Sequence, residues 1–204
     1  VVDNQNDLHC TGSHHYDGQT PFDDRVIYFT MTAGHWNNFM EISDNRSWWG
    51  SDLSLNASGL PEFTWGQFRN DTAAYQVGTF YSRLTPYGLA DSVMLARDAT
   101  DQAIAVDGLD NVHIVDNEKI SKNRYFLVYY SHDEGNWSRC VLDSSKQGFI
   151  QIEMKAVKSR LFMMANRMDS VVSGLYPVSS IYFRKRDIPY SINEDRSNLS
   201  MMIY

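Results

Sequence analysis

Long apolar runs are missing from this 204-residue chain. No stretch approaches the roughly 18 residues of a membrane-crossing helix, so no membrane span is expected. Positive charge is thin: 18 Lys and Arg face 25 Asp and Glu, a formal net charge of −7. The one basic cluster, Arg184-Lys185-Arg186, reads as a solvated strand end. An acidic chain without a basic patch is not built for nucleic acid or anionic membrane. The usual chemical motifs are missing as well. There is no Gly-x-Ser-x-Gly elbow, no Gly-rich phosphate loop and no His-Glu-x-x-His. Asp133 and Glu134 are adjacent, and adjacent hairpin residues point to opposite sides, which does not suit sugar hydrolysis. The expectation is a non-enzyme that uses no cofactor. Neither an internal repeat nor a low-complexity tract stands out.

Cysteine is reduced to two, Cys10 and Cys140. A lone pair in a secreted chain implies one disulfide, here tying the N-terminal arm to the body. His9, Cys10, His14, His15 and Asp17 crowd together, but their spacing fits no zinc pattern, so no metal site is expected. The secreted reading rests on sequons. Asn45, Asn56, Asn70, Asn136 and Asn198 each begin an N-x-Ser/Thr triplet. Chance would give roughly two at ordinary composition. The first residues, Val-Val-Asp-Asn, read as a mature end after cleavage. A secreted, extracellular glycoprotein is the expectation.

What the chain does have is aromatic and β-branched density. Aromatics make up 13% and hydrophobic residues 43%, enough for a packed core in one domain. Tyr125 to Tyr130 is an unbroken apolar and aromatic run. His132 to Asn136 is polar and holds a Gly, and Trp137 to Leu142 resumes the strand pattern. That segment predicts a β-hairpin. About eight or nine short strands fall between His35 and Leu142, the pattern of an up-and-down antiparallel meander. Ile150, Met154, Val157, Leu161, Met164, Met168 and Val171 then recur at steps of four and three. This spacing predicts one long amphipathic helix, with Gly174 as its cap. Ile181 to Phe183 reads as a late strand.

Gly34-x-Trp36 before the meander, the Tyr125–Trp137 hairpin, the helix and the added strand together resemble the lipocalin family. The resemblance implies an all-β fold: an eight-stranded up-and-down antiparallel barrel with an irregular N-terminal arm, one long C-terminal helix and a short added strand. It divides a single 1–204 domain into an arm (1–24), the barrel (25–145), the helix (150–173) and a strand and tail (178–204). It implies a carrier of one small apolar ligand, such as a lipid, retinoid or pigment, inside the barrel. Trp65, Tyr75, Phe80, Met94, Tyr125, Leu127 and Tyr129 are the candidate ligand-lining residues, chosen by alternation along the strands. The alternative is an extracellular β-sandwich that recognises glycans or a protein, with Trp48 and Trp49 suited to sugar stacking.

Overall fold

The computed structural model describes residues 1–15, 24–43, 47–68, 77–133, 135–158, 160–170 and 178–187. Among them there is no helix. Sixteen strands form four separate antiparallel sheets in chain order. Sheet I holds β1 (Leu8–His15), β2 (Asp24–Thr32), β3 (His35–Trp36) and β4 (Met40–Glu41). Sheet II holds β5 (Ser47–Leu55), β6 (Pro61–Phe68), β7 (Val77–Thr85), β8 (Gly88–Leu89) and β9 (Val93–Ala96). Sheet III is β10 (Ala99–Val106), β11 (Val112–Ser121), β12 (Arg124–Asp133) and β13 (Asn136–Ser145). Sheet IV is β14 (Phe149–Val157), β15 (Arg160–Ser170) and β16 (Val178–Asp187).

The predicted hairpin is present as β12 and β13, with Asp133 opposite Asn136 and Gly135 at φ 87 in the turn. The barrel is not. Each meander stays within its own sheet, and consecutive sheets pack face on face. Three cores fill the three gaps. Val26, Tyr28, Leu53, Phe63 and Trp65 join I to II. Tyr81, Ile104, Ile114, Val128 and Tyr130 join II to III. Val115, Leu127, Phe149, Leu161 and Met163 join III to IV. The strand count alone suited barrel closure, but closure needs pairing between successive meanders, and that pairing is replaced by side-chain packing. Nor is 1–24 an irregular arm throughout: Leu8–His15 pairs with β2 over its whole length.

The predicted helix is the hairpin β14–β15. Ile152, Met154 and Ala156, then Leu161, Met163 and Ala165, face sheet III. Glu153, Lys155 and Met164 face away and are exposed. The true period is therefore two on each strand. Two features disguised it. A bulge at Gln151 (φ 51) shifts the register between Ile150 and Glu153, and Lys158 (φ 55) turns the chain. Residues drawn from both faces then fell into a spurious four-three rhythm.

The structure also contains a repeat that the sequence reading missed. Asp3, Asn56 and Asp107 lie roughly 50 residues apart and build the same loop. Asp107 Oδ1 accepts the N–H of Leu109 and of Asn111. Asn56 Oδ1 accepts those of Ser58 and Leu60, and Asp3 Oδ1 those of Gln5 and Asp7. Each loop needs one left-handed residue, at Asn6, Gly59 and Asp110. Six positions on stand His9, Glu62 and His113, each bonded back to its loop residue and onward to a tyrosine: Tyr28 at 2.6 Å, Tyr81 at 2.5 Å and Tyr129 at 2.7 Å. Each tyrosine enters the core shared with the next sheet. Repeated meanders of this length, stacked face to face, are the blades of a propeller-like fold.

Candidate functional site

In sheets II, III and IV the first strand is the one nearest its counterparts: β10 lies beside β5 on one side and β14 on the other. A first strand leaves one edge of N–H groups without a ladder partner. Here side chains of β5 fill that role. Asp52 Oδ2 accepts the Ile104 N–H at 2.9 Å, and Ser54 Oγ accepts that of Val106 at 3.0 Å. Gln102 Nε2 donates to the Gly50 carbonyl at 2.6 Å. Two N–H groups of the β10 edge are thus satisfied without adding a strand.

All three first strands carry an irregularity at one level. The register shifts between Ser47 and Ser51, between Thr100 and Ala103, and between Ile150 and Glu153. Each shift holds one left-handed residue: Gly50 (φ 106), Asp101 (φ 55) and Gln151 (φ 51). Bulges re-aim side chains and concentrate beside active sites. Glycine adopts this conformation freely, whereas Asp101 and Gln151 are strained there. Two residues beyond Gly50 and Gln151 stand Asp52 and Glu153. Asp52 and Glu153 thus stand on the two strands that flank β10, near enough for the charge of one to act on the other.

Burial pushes the Asp52 carboxyl above the usual carboxylate range. The Leu53 and Ile104 amides oppose that rise, and the negative charge of Glu153 adds to it. Burial of its carboxyl also raises Asp101, against a bond from Thr100 that lowers it. The pair can accept hydrogen bonds from hydroxyl-rich ligands, and Asp52 holds its proton to higher pH than an ordinary carboxyl.

The residues chosen from sequence do not converge. Trp65 and Phe80 stack at 6.0 Å in the core between sheets I and II, and Trp65 Nε1 donates to Gln67. Leu127 and Tyr129 belong to the core between III and IV. Met94 is on the exposed side of β9, and Tyr125 is half-buried at the start of β12. Tyr75 and the side chains of Trp48 and Trp49 lie outside the described residues. Cys10 and Cys140 are both free thiols, correcting the expected disulfide. Their strands belong to different sheets, Cys10 opposite Phe29 in sheet I and Cys140 opposite Tyr129 in sheet III. His9 and Cys10, adjacent on a strand, face opposite sides. Of the sequons, Asn136 is exposed at the hairpin tip. Asn56 uses its carboxamide inside the fold, donating to Glu62. Asn45, Asn70 and Asn198 lie outside the described residues.

Asp52 and Glu153 escaped the sequence reading because each is an ordinary acid in a polar–apolar alternation. The findable signal was the period: Asx, then His or Glu six residues on, in three copies.

No protein-family model matches the chain, and no match is found among curated proteins. Solved structures do match. One is the Hadza microbial sialidase Hz136, at TM-score 0.62 and 6% identity over 89% of this chain and 42% of that one. Another is fructan 1-exohydrolase IIa from Cichorium intybus, at TM-score 0.53 and 12% identity over 90% and 40%. A third is the polysaccharide lyase Uly1, at TM-score 0.51 and 10% identity over 100% and 48%. The chain spans less than half the length of each. At such identities the likeness shows the fold alone.

Proposed function

We propose that this protein recognises an oligosaccharide beside the first strands of its sheets, in the extracellular space. The observation that carries the reading is the placement of Asp52 and Glu153 at matching positions on the two strands that flank β10. Carboxylates held near each other on neighbouring strands accept hydrogen bonds from hydroxyl-rich sugars. The names of the three similar structures, a sialidase, a fructan exohydrolase and a polysaccharide lyase, support the same ligand class. The excess of sequons supports the location. The carrier reading depended on the interior of a closed barrel, and the gaps between these sheets are packed with side chains instead.

The charge of the site narrows the ligand. Two neighbouring carboxylates repel sialate or uronate groups. The expected ligand is a neutral, or amino-substituted, oligosaccharide. The test is retention of the purified chain on a glycan array, followed by calorimetry on any hit. Asp52→Asn and Glu153→Gln preserve shape and remove charge. Both should weaken binding at least tenfold with little change in thermal midpoint. Retention of no glycan, or equal binding by both variants, overturns the proposal.

A further inference from the structure

The sequons read alike in the sequence, and the fold sets two of them apart. Asn56-Ala57-Ser58 lies in the second of the three Asx loops. There Asn56 Oδ1 accepts the N–H groups of Ser58 and Leu60, both at 3.0 Å, and Nδ2 donates to Glu62 at 3.2 Å. Glu62 is itself buried and accepts the Tyr81 hydroxyl. The equivalent residues, Asp3 and Asp107, hold their loops with carboxylates, which cannot carry an N-linked sugar. The loop therefore accounts for an Asx at position 56 without any glycan, and Ser58 completes the triplet.

Asn136-Trp137-Ser138 is placed differently. Asn136 opposes Asp133 at the tip of the β12–β13 hairpin and is exposed. No hydrogen bond engages its carboxamide among the described residues. Beside it, Gly135 has open space where a side chain would start, and Ser138 is exposed as well. Trp137 turns to the other face and packs on Tyr81 at 5.0 Å, so the bulky residue of the triplet does not cover Asn136. The two triplets also differ in where a sugar would stand. Asn56 follows directly on β5, four residues after Asp52. Asn136 begins β13, which forms the edge of sheet III opposite β10.

We propose that the folded, secreted protein carries an N-linked glycan on Asn136 and none on Asn56; this rests on the extracellular reading above. The donor is a lipid-linked oligosaccharide diphosphate. Its C1–O bond breaks, a bond from C1 to the Asn Nδ2 forms, the lipid diphosphate leaves and Nδ2 loses one proton. Both triplets are open to this reaction in the unfolded chain, and the fold sorts the products. On Asn56 the sugar is attached to the atom that faces buried Glu62, so the loop closes only by giving up that contact, which costs the chain its fold. On Asn136 the sugar enters solvent, and no contact is given up.

The test is peptide mass spectrometry on the chain secreted, behind an added leader, from a eukaryotic host that N-glycosylates. Glycans are released in heavy-oxygen water by an amidase that converts each modified Asn to labelled Asp. Asn136 should be labelled in most chains and Asn56 in none. A bare Asn136, or a labelled Asn56 in the secreted protein, overturns the proposal. Two variants check it by intact mass, read as differences so that sugars at other sites cancel. Asn136→Gln should lower the mass by one glycan and leave the thermal midpoint within a degree of wild type. Ser58→Ala removes the Asn56 triplet and keeps the loop, so it should leave the glycan mass unchanged; a loss of one glycan there overturns the proposal. Protein from its native source that is bare at Asn136, while the host's is occupied, overturns the extracellular reading and leaves the choice between the two sites supported.

Discussion

The His113 ring stands 3.0 Å from Asp107 through Nε2, both groups almost fully buried beneath the loop that Asp107 closes. A carboxylate only accepts, so Nε2 carries the hydrogen, and Nδ1 is left to face the Tyr129 hydroxyl. The pair recurs as Asp3 and His9 at 3.3 Å. In the second copy Asn56 and Glu62 exchange the polarity while keeping the bond. The relay thus ties each first hairpin to the tyrosine that enters the next core.

Acid should loosen this tie in a defined window. Burial pushes the Asp107 carboxyl up, but bonds from His113, from the Asn111 side chain and from the Leu109 and Asn111 amides outweigh it, bringing the pKa to about 2. The unfolded value is about 3.9. A depressed carboxyl stabilises the fold above the unfolded value, and the contribution is lost as pH falls through the folded one. The window is therefore about pH 4 down to 2, and the loss is roughly 2 kcal/mol. Asp107→Asn, which copies the natural Asn56, should show a shallower fall in urea midpoint between pH 5 and 2 than wild type. Parallel curves for the two proteins would contradict the assignment.

Asp116 predicts the opposite slope. It is fully buried on β11, facing sheet II, and neither carboxyl oxygen has a hydrogen-bond partner; the hydroxyl of Thr79 is the nearby polar group. Burial, reinforced by the charge of Glu118, raises its pKa well above the usual value. A raised carboxyl contributes stability fully below about pH 4, and that contribution is lost as pH rises through the folded value. Asp116→Asn should therefore raise the thermal midpoint at pH 8 and change it little at pH 4. Equal effects at both values would show that the carboxyl does not titrate in the fold.

The hairpin was legible because Tyr125 to Tyr130 is an unbroken run of β-forming residues, buried on both faces from Leu127 to Tyr130, and because the β pattern resumes from Trp137 to Leu142; both stretches lie within the strands observed. Sheet membership was not legible, because pairing inside a meander and packing between meanders use the same residues. Phe63 and Ile114 read alike, whether they line a barrel or meet the next sheet. β14 and β15 were misread because Gln151 and Lys158 carry their left-handed turns without a glycine to mark them. The paired carboxylates were hidden for another reason: Asp52 and Glu153 are about 100 residues apart, and only the repeat relates them.

The thiols give a direct check on the corrected cysteines. Cys140 is exposed on the outer strand β13, and Cys10 is half-buried opposite Phe29. Titration of the unreduced, denatured protein should find two thiols. In the native state Cys140 should react at least tenfold faster than Cys10, since it is the more accessible thiol. A single bonded pair would read zero in the first assay.

Asp52 holds both the architecture and the proposed ligand contact, and two substitutions separate them. Its Oδ2 accepts the edge N–H of Ile104, and Oδ1 accepts that of Leu53. Asp52→Ala leaves the Ile104 N–H without its partner between two packed strands. An unsatisfied buried donor costs about 1–3 kcal/mol. Asp52→Asn keeps an acceptor oxygen at that edge and relieves the burial of a charge. Its stability change should stay below about 1 kcal/mol. Urea denaturation of the three proteins at pH 7 orders them: wild type and Asn together, Ala well below. If Asn falls as far as Ala, the carboxylate charge itself holds β10 against β5. A loss of glycan binding in Asp52→Asn would then report the scaffold rather than the ligand contact, and Glu153→Gln would be left as the clean probe of the site.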